Sequence, residues 1–406
     1  MRILHINKFF DLHGGAEMYM HRVMEAQRRA GHEVHALSTR SEKNLPSPDA
    51  SSFVTRSHLD RSEGPAKDAI KAMRFLWNRE AEVACQQALE TIRPDVVHLH
   101  NLYHHLSTSV LAPIRRANIP CVQTLHDYKL ACPNYKMFTE GSPCERCKGG
   151  HYENAIKHHC LSSGFLPNVL AALEMGMTKA RQSYERTVRL FLCPSRFLQE
   201  KMEDWGEPPG KLRYLPNPVD LPTIPASRGG GYLLFVGRLS AEKGLDSLIE
   251  AVAKMPELII KIVGRGPEEA RLRAIAEKAG AHHVEFLGFQ SPEEVTRLRE
   301  RAEAFVLPSI WYENASLALL EAMADGLPCL ATRIGGNPEL IEDEKQGFLV
   351  TPGDVRDWHR ALRRFQALSS ESRARMGAIS REKVRLTYTW QTHLENLEIC
   401  YNEAKG

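Results

Sequence analysis

The sequence predicts an α/β protein made of two doubly wound parallel-sheet domains. Three observations carry that expectation. Short apolar, β-like runs alternate with helical spacing along most of the chain, the pattern of parallel strands joined by crossover helices. The chain has 406 residues, enough for two domains of roughly 200 residues that each bury a core. Between the halves lies a stretch dense in turn formers, Pro216-Asn217-Pro218-Val219-Asp220, then Pro222, Pro225 and the three glycines 229–231. A linker is expected there. The predicted organisation is a first domain over 1–217, with a cysteine-rich insertion at about 132–160, a second over 218–387, and a closing helical segment over 388–406.

In order, Arg2 to Asn7 reads as a buried strand, and Gly14-Gly15-Ala16-Glu17 opens an apolar-periodic segment that runs to Gly31. Strand, glycine turn and helix together let a backbone approach a phosphate or sugar closely. Glu33 to Ser38 is a second strand, Ser41 to Gly64 a loop, and Lys67 to Ile92 a run of helical spacing. Asp95 to His100 and Cys121 to Asp127 are the next two strands. Ligands of such sheets sit at the carboxyl ends of strands, where His100, Asn101, His104, His126 and Asp127 fall. One histidine at a strand end is usually structural; several in one half point to contact with a bound ligand.

Nine cysteines in a chain of this length argue against a disulfide framework. Cys85, Cys121, Cys193, Cys329 and Cys400 stand among apolar neighbours and read as small core residues. Cys132, Cys144, Cys147 and Cys160 are different. A Cys-x-x-Cys pair flanked by two further thiols, with Pro133, Gly141, Gly149 and Gly150 for turns, offers four thiolates to a structural zinc. An iron–sulfur cluster, reduced surface thiols, an adventitious disulfide and replacement of one ligand by His158 or His159 stay open.

Gly164 to Thr187 is helical in pattern, with Lys179, Arg181 and Arg186 on its polar side. That side reads as a solvated face, with peripheral contact to anionic lipid as the rival. Strands follow at 190–195 and 212–215, and in the second half at 232–236, 258–266, 284–289, 304–309 and 347–352; 358–387 is helical. After the strand at 232–236 comes Gly237-Arg238-Leu239-Ser240-Ala241-Glu242-Lys243-Gly244, two cations five positions apart across a loop. Such a pair suits a diphosphate, with Arg as a planar fork and Lys as a point charge. Further on, Glu313 and Glu321 stand eight positions apart in WYENASLALLEAMADGLPCLAT, residues 311–332. The order is a loop with one carboxylate, then a helix from about Ala315 to Ala324 with the second about two turns in. Asn314 or Ser316 can cap it, leaving N–H groups near Ser316 and Leu317 for an anion.

The formal charge of +3 argues against general nucleic-acid affinity, and no run approaches the roughly 20 apolar residues of a membrane span. Residues MRILHIN lack signal-peptide architecture, so a cytoplasmic protein is expected, peripheral to the inner face of a membrane at most.

Tyr312-Glu313-Asn314, Glu321-Ala322-Met323-Ala324, Gly326-Leu327-Pro328 and Gly335-Gly336-Asn337-Pro338-Glu339, with the Gly237–Gly244 segment, closely resemble the donor site of retaining glycosyltransferases of family 4. The resemblance implies the GT-B fold, two Rossmann-like domains facing a central cleft, with a final helix crossing back to the first domain. It implies that Glu313 faces the donor sugar, that Ser316 and Leu317 take the pyrophosphate and that Glu321 holds the ribose. Arg238 and Lys243 would bind the diphosphate. Gly15 would lie beside the donor, His126 would contact its sugar near the reaction centre, and His100 and His104 would stand on the acceptor side. Transfer would need no cofactor. The implied reaction moves a hexose from a UDP- or GDP-sugar to a saccharide or lipid-linked acceptor. Asn314 stands where many members have Gly, and Ser316 where some have Pro or Gly, so the sugar is not implied. A nucleotide-sugar epimerase of the same architecture and a non-catalytic, metal-stabilised nucleotide-binding scaffold are the alternatives.

Overall fold

The computed structural model describes residues 1–12, 14–57, 62–227 and 229–406. Residues 58–61 of the expected 41–64 loop lie outside the described residues. The chain divides into two compact units, one of 1–137, 145–215 and 393–406, the other of 138–144 and 216–392.

The first unit is built on a six-stranded parallel sheet of β1 (Arg2–Ile6), β2 (Glu33–Leu37), β3 (Val96–Leu99), β4 (Cys121–Thr124), β5 (Leu190–Cys193) and β6 (Leu212–Tyr214), in the order β6-β5-β4-β3-β1-β2. Its strands are near-continuous apolar runs because crossover helices cover both faces of a parallel sheet. The order reverses between β1 and β3, which puts the ends of these strands beside a topological switch point.

The second unit repeats the plan with β7 (Tyr232–Val236), β8 (Ile259–Val263), β9 (Val284–Gly288), β10 (Ala304–Leu307), β11 (Cys329–Thr332) and β12 (Gly347–Val350), in the order β9-β8-β7-β10-β11-β12. Its core is fully enclosed at Phe235, Phe305, Trp358 and Phe365. The five dispersed cysteines, Cys85, Cys121, Cys193, Cys329 and Cys400, are all buried.

Two expected helices are each two. The 67–92 span breaks into Pro65–Leu76 and Arg79–Ile92, because Asn78 leaves the helical region and its side chain accepts from the Ala81 N–H, capping the second piece. The 358–387 span divides into Val355–Ala367 and Ser370–Thr387, where Ser369 caps in the same way. The helix expected to reach Thr187 ends at Ala180. Several strands stop one to three residues before their predicted ends, which leaves His100, His126 and Asp127 just beyond β3 and β4. No helix among the described residues is long and apolar enough to cross a membrane.

Candidate active site

In the second unit, the segment after β10 carries Glu313, and the helix Leu317–Ala324 follows. Ser316 is its N-cap, accepting from the Leu319 N–H. The N–H groups of the first turn have no intrahelical acceptor, which leaves those of Leu317 and Ala318 available to an anion. The helix is apolar nearly all round and buries Leu319, Leu320, Ala322, Met323 and Ala324, so its N-terminus is held firmly.

Glu313 is only 4% exposed. Its Oε1 accepts from Lys243 Nζ at 2.6 Å and from Ser309 Oγ at 2.5 Å. Burial alone would push this carboxyl up; the Lys243 ammonium and the Ser309 hydroxyl together hold it below the ordinary glutamate range. The backbone of Glu313 is fixed as well. Gly336 N–H donates to its carbonyl at 2.7 Å, and Gly335 sits at φ +59°, where an added Cβ would lie 2.2 Å from the same oxygen. Only glycine fits there.

Arg238 lies in the loop after β7. Its side chain is exposed and has no hydrogen-bond or ion-pair partner among the described residues. The loop itself is rigid: Gly237 N–H donates to Val263 O and Leu239 N–H to Arg265 O, and a Cβ at Gly264 would lie 1.9 Å from Gly237 O. An unpaired guanidinium is thus presented on a fixed backbone. Lys243 keeps donors beyond the one given to Glu313, because an ammonium has three. Glu321, on the helix, accepts from Arg299 Nη1 at 2.8 Å, and Arg299 Nε also donates to Asp325 at 2.6 Å.

The second unit therefore brings Lys243 and Glu313 into contact and leaves Arg238 free. Ser309 and Arg299, which orient the two glutamates, were not singled out from the sequence. Ser309 is four residues before Glu313, a local signal; Arg299 sits 22 positions before Glu321 on another helix, with no motif to mark it.

In the first unit, Gly15 opens the helix Gly15–Arg29 with Gly14 as its N-cap. The buried Glu17 braces the turn, its Oε1 accepting from Asn7 Nδ2 at 3.1 Å, while Asn7 Oδ1 accepts from the Asn101 N–H at 3.0 Å. His126 Nε2 is hydrogen-bonded to His100 Nδ1 at 3.0 Å. Burial pushes the His126 imidazole down to about 3, so it is neutral at physiological pH. His100 has no exposed surface. His104 is buried too, stacked on Phe75 at 4.3 Å, with Nε2 lacking a hydrogen-bond partner.

Beside them, Asp127 accepts from Tyr103 Oη at 2.5 Å and from the Lys129 N–H at 3.0 Å. Lys8 Nζ rests 3.5 Å from the centroid of the Tyr103 ring, and loss of hydration brings its pKa down to about 8. Neither Lys8 nor Tyr103 was picked out beforehand, because each draws its environment from distant loops.

Of the four grouped cysteines, Cys132 and Cys147 are buried and Cys144 and Cys160 partly so. Burial pushes the Cys132 thiol up to about 11; the backbone groups of Met137 and Asn134 oppose that shift, and Cys160 adds to it.

Residues 13–222 match the model of Glycosyltransferase Family 4, and residues 224–383 that of Glycosyl transferases group 1. Spore coat protein SA of Bacillus subtilis is 33% identical over 191 residues, 44% of this chain and 50% of that protein. Glycogen synthase of Mycobacterium tuberculosis is 27% identical over 419 residues, covering 97% of this chain and 92% of its own. The chain spans about half the length of the first curated relatives it matches, 45% and 50%. Among solved structures, Anabaena Alr3699/HepE in complex with UDP and glucose superposes with a TM-score of 0.70 at 17% identity, covering 99% of this chain and 100% of that one. With two doubly wound sheets and a family model matched over more than half its length, the chain belongs to glycosyltransferase family 4 and has the GT-B fold.

Proposed function

We propose that the protein is a retaining hexosyltransferase that moves a sugar from a nucleotide-diphosphate donor, UDP- or GDP-linked, to a saccharide or lipid-linked saccharide in polysaccharide or glycoconjugate synthesis. The observation that carries this reading is the donor constellation of the second unit: the unpaired Arg238, the Lys243–Glu313 pair at 2.6 Å and the capped helix N-terminus at Ser316 and Leu317. Breaking the bond between the anomeric carbon and the diphosphate leaves its electron pair on a phosphate oxygen. Two cations and a helix N-terminus stabilise that charge without a metal. The acceptor hydroxyl attacks from the face the phosphate leaves, its proton passing to the leaving phosphate oxygen, so configuration is retained. Glu313 orients the sugar hydroxyls and stabilises the cationic centre, and Glu321, braced by Arg299, binds the ribose. Gly15 lies against the donor, and His126 contacts the sugar. HepE, whose structure holds UDP and glucose, supports a donor of this class.

The test is Glu313→Ala. Turnover of the cognate nucleotide sugar is expected to fall by about 10²–10³-fold, while nucleotide affinity changes little. Unchanged turnover overturns the site.

We also propose a structural zinc on Cys132, Cys144, Cys147 and Cys160. The backbone groups directed at Cys132 support it, since they favour a thiolate; the nearby Cys160 pushes the Cys132 thiol up, a repulsion between thiolates that a bound cation would relieve. About one zinc per purified chain is expected by elemental analysis; none at all refutes it. The reaction is placed in the cytoplasm, and the exposed Phe165, Leu166 and Leu173 of the helix Phe165–Ala180 support contact with the membrane that carries a lipid-linked acceptor. Sedimentation with anionic lipid vesicles checks this, and a chain that stays in the supernatant overturns it.

A further inference from the structure

A continuous hydrogen-bonded chain runs through the interior of the first unit. It starts at His126, whose Nε2 meets His100 Nδ1 at 3.0 Å. His100 Nε2 meets His5 Nδ1 at 3.0 Å, and His5 Nε2 meets the Gln27 amide oxygen at 2.8 Å. From there the Gln27 amide nitrogen donates to Tyr401 Oη at 2.8 Å. Tyr401 Oη meets His98 Nδ1 at 2.7 Å, and His98 Nε2 meets Thr124 Oγ1 at 2.8 Å. His5, His98 and His100 have no exposed surface, and Gln27, Thr124 and Tyr401 are buried.

The donor atoms of His5, His98 and His100 lie within 4.8 Å of one another, yet they do not suit a metal. The His98 ring stacks on His100 at 4.5 Å with 22° between planes. In-plane lone pairs of stacked rings do not meet at one point, and the facing nitrogens of His5 and His100 share a proton instead.

Burial holds all these imidazoles neutral: His5 is pushed down to about 4, and His98 and His100 well below the usual histidine value. A neutral imidazole has one donor and one acceptor nitrogen, so a direction imposed at one end propagates to the other. The Gln27 oxygen only accepts. His5 therefore carries its hydrogen on Nε2 and accepts at Nδ1 from His100 Nε2–H. His100 in turn accepts at Nδ1 from His126 Nε2–H, which leaves His126 Nδ1 bare.

We propose that Gln27, acting through His5 and His100, is a positioning residue that fixes the tautomer of His126, so that His126 offers a bare Nδ1 acceptor to a hydroxyl of the bound sugar. This rests on the reading that His126 touches the donor sugar. The sign matters to the chemistry. A hydroxyl that donates to Nδ1 gains negative charge on its oxygen and stabilises the positive anomeric centre of the transition state; the reversed chain would present Nδ1–H and withdraw that charge.

The experiment is nitrogen NMR of protein labelled in its histidines, with the His126 signals assigned by their loss in His126→Gln. Wild type is expected to show an unprotonated Nδ1 and a protonated Nε2 at His126. Gln27→Leu removes the acceptor and is expected to give a tautomer mixture, a kcat about tenfold lower and an unchanged KM for the nucleotide sugar. Gln27→Glu keeps an acceptor oxygen toward His5 and is expected to restore both tautomer and kcat. A protonated Nδ1 in wild type, or an unchanged His126 tautomer in Gln27→Leu, overturns the proposal. If Gln27→Leu does not fold, Gln27→Glu decides: a folded variant with His126 turned to Nδ1–H overturns it. Full turnover of His126→Gln beside the expected tautomer pattern refutes the sugar contact alone and leaves the polarity of the chain standing.

Discussion

The second unit presents its charges; the first hides its polar groups. In the site proposed around Glu313 the groups keep free valence: an unpartnered Arg238, spare donors on Lys243 and the open N–H groups of a helix start. In the first unit the polar atoms from Thr124 to His126 are spent on one another, and only the last imidazole has a nitrogen left over. A leaving diphosphate carries charge and is recognised by charge. A sugar hydroxyl is neutral and two-faced, so a group that meets it must have its own donor or acceptor sense decided beforehand, by neighbours water cannot reach.

Acid should separate the two units, and this is the largest effect expected of the intact protein. Burial first of all lowers His5, His98, His100, His104 and His126, all in the first unit. Each stays neutral when folded and takes up a proton on unfolding below about pH 6.5. Stability is therefore lost as pH falls from about 6.5 toward the folded values, near 4 for His5, at up to about 1.4 kcal/mol per pH unit for each histidine. Asp127 and Glu207, pushed up by burial, act in the opposite sense but are fewer. In the second unit the depressed Glu313 contributes stability that is complete above about pH 4.3 and lost only below it. Hydrogen exchange between pH 7 and 4.5 is expected to expose peptides of 1–137 before those of 232–350. The reverse order would break the comparison.

Arg238→Ala marks the other extreme. Its side chain makes no hydrogen bond or ion pair with the described residues, so stability measured by thermal unfolding without ligand should change by no more than about 0.5 kcal/mol. A large drop would mean that Arg238 is structural rather than held in reserve.

The same contrast explains what the sequence made legible. Both sheets could be read because parallel strands covered on both faces are uninterrupted apolar runs such as Tyr232–Val236 and Leu190–Cys193. The candidate donor residues could be proposed from the sequence because Arg238 with Lys243, and Glu313 with Ser316 and Glu321, fall within short segments of the chain. Helix breaks at Asn78 and Ser369 escaped because a capping side chain within an otherwise periodic run leaves the pattern almost intact. The histidine chain escaped for a different reason. His100 and His126 could be placed at strand ends, but Gln27 and Tyr401, which bridge the chain, lie 374 positions apart on two helices. Arg299, the brace of Glu321, is likewise one of several charged residues on its helix, set apart only by where that helix packs.

The account turns on the second unit being a nucleotide-sugar site, and one measurement tests that most directly: thermal unfolding with UDP, GDP, ADP and dTDP in turn, in wild type and in Arg238→Ala. At about a hundred times its dissociation constant, a true ligand adds roughly 2.7 kcal/mol of stability. The account predicts that UDP or GDP raises the unfolding temperature and that the rise disappears in Arg238→Ala. A rise that is identical in the variant, or none with any of the four nucleotides, would contradict it.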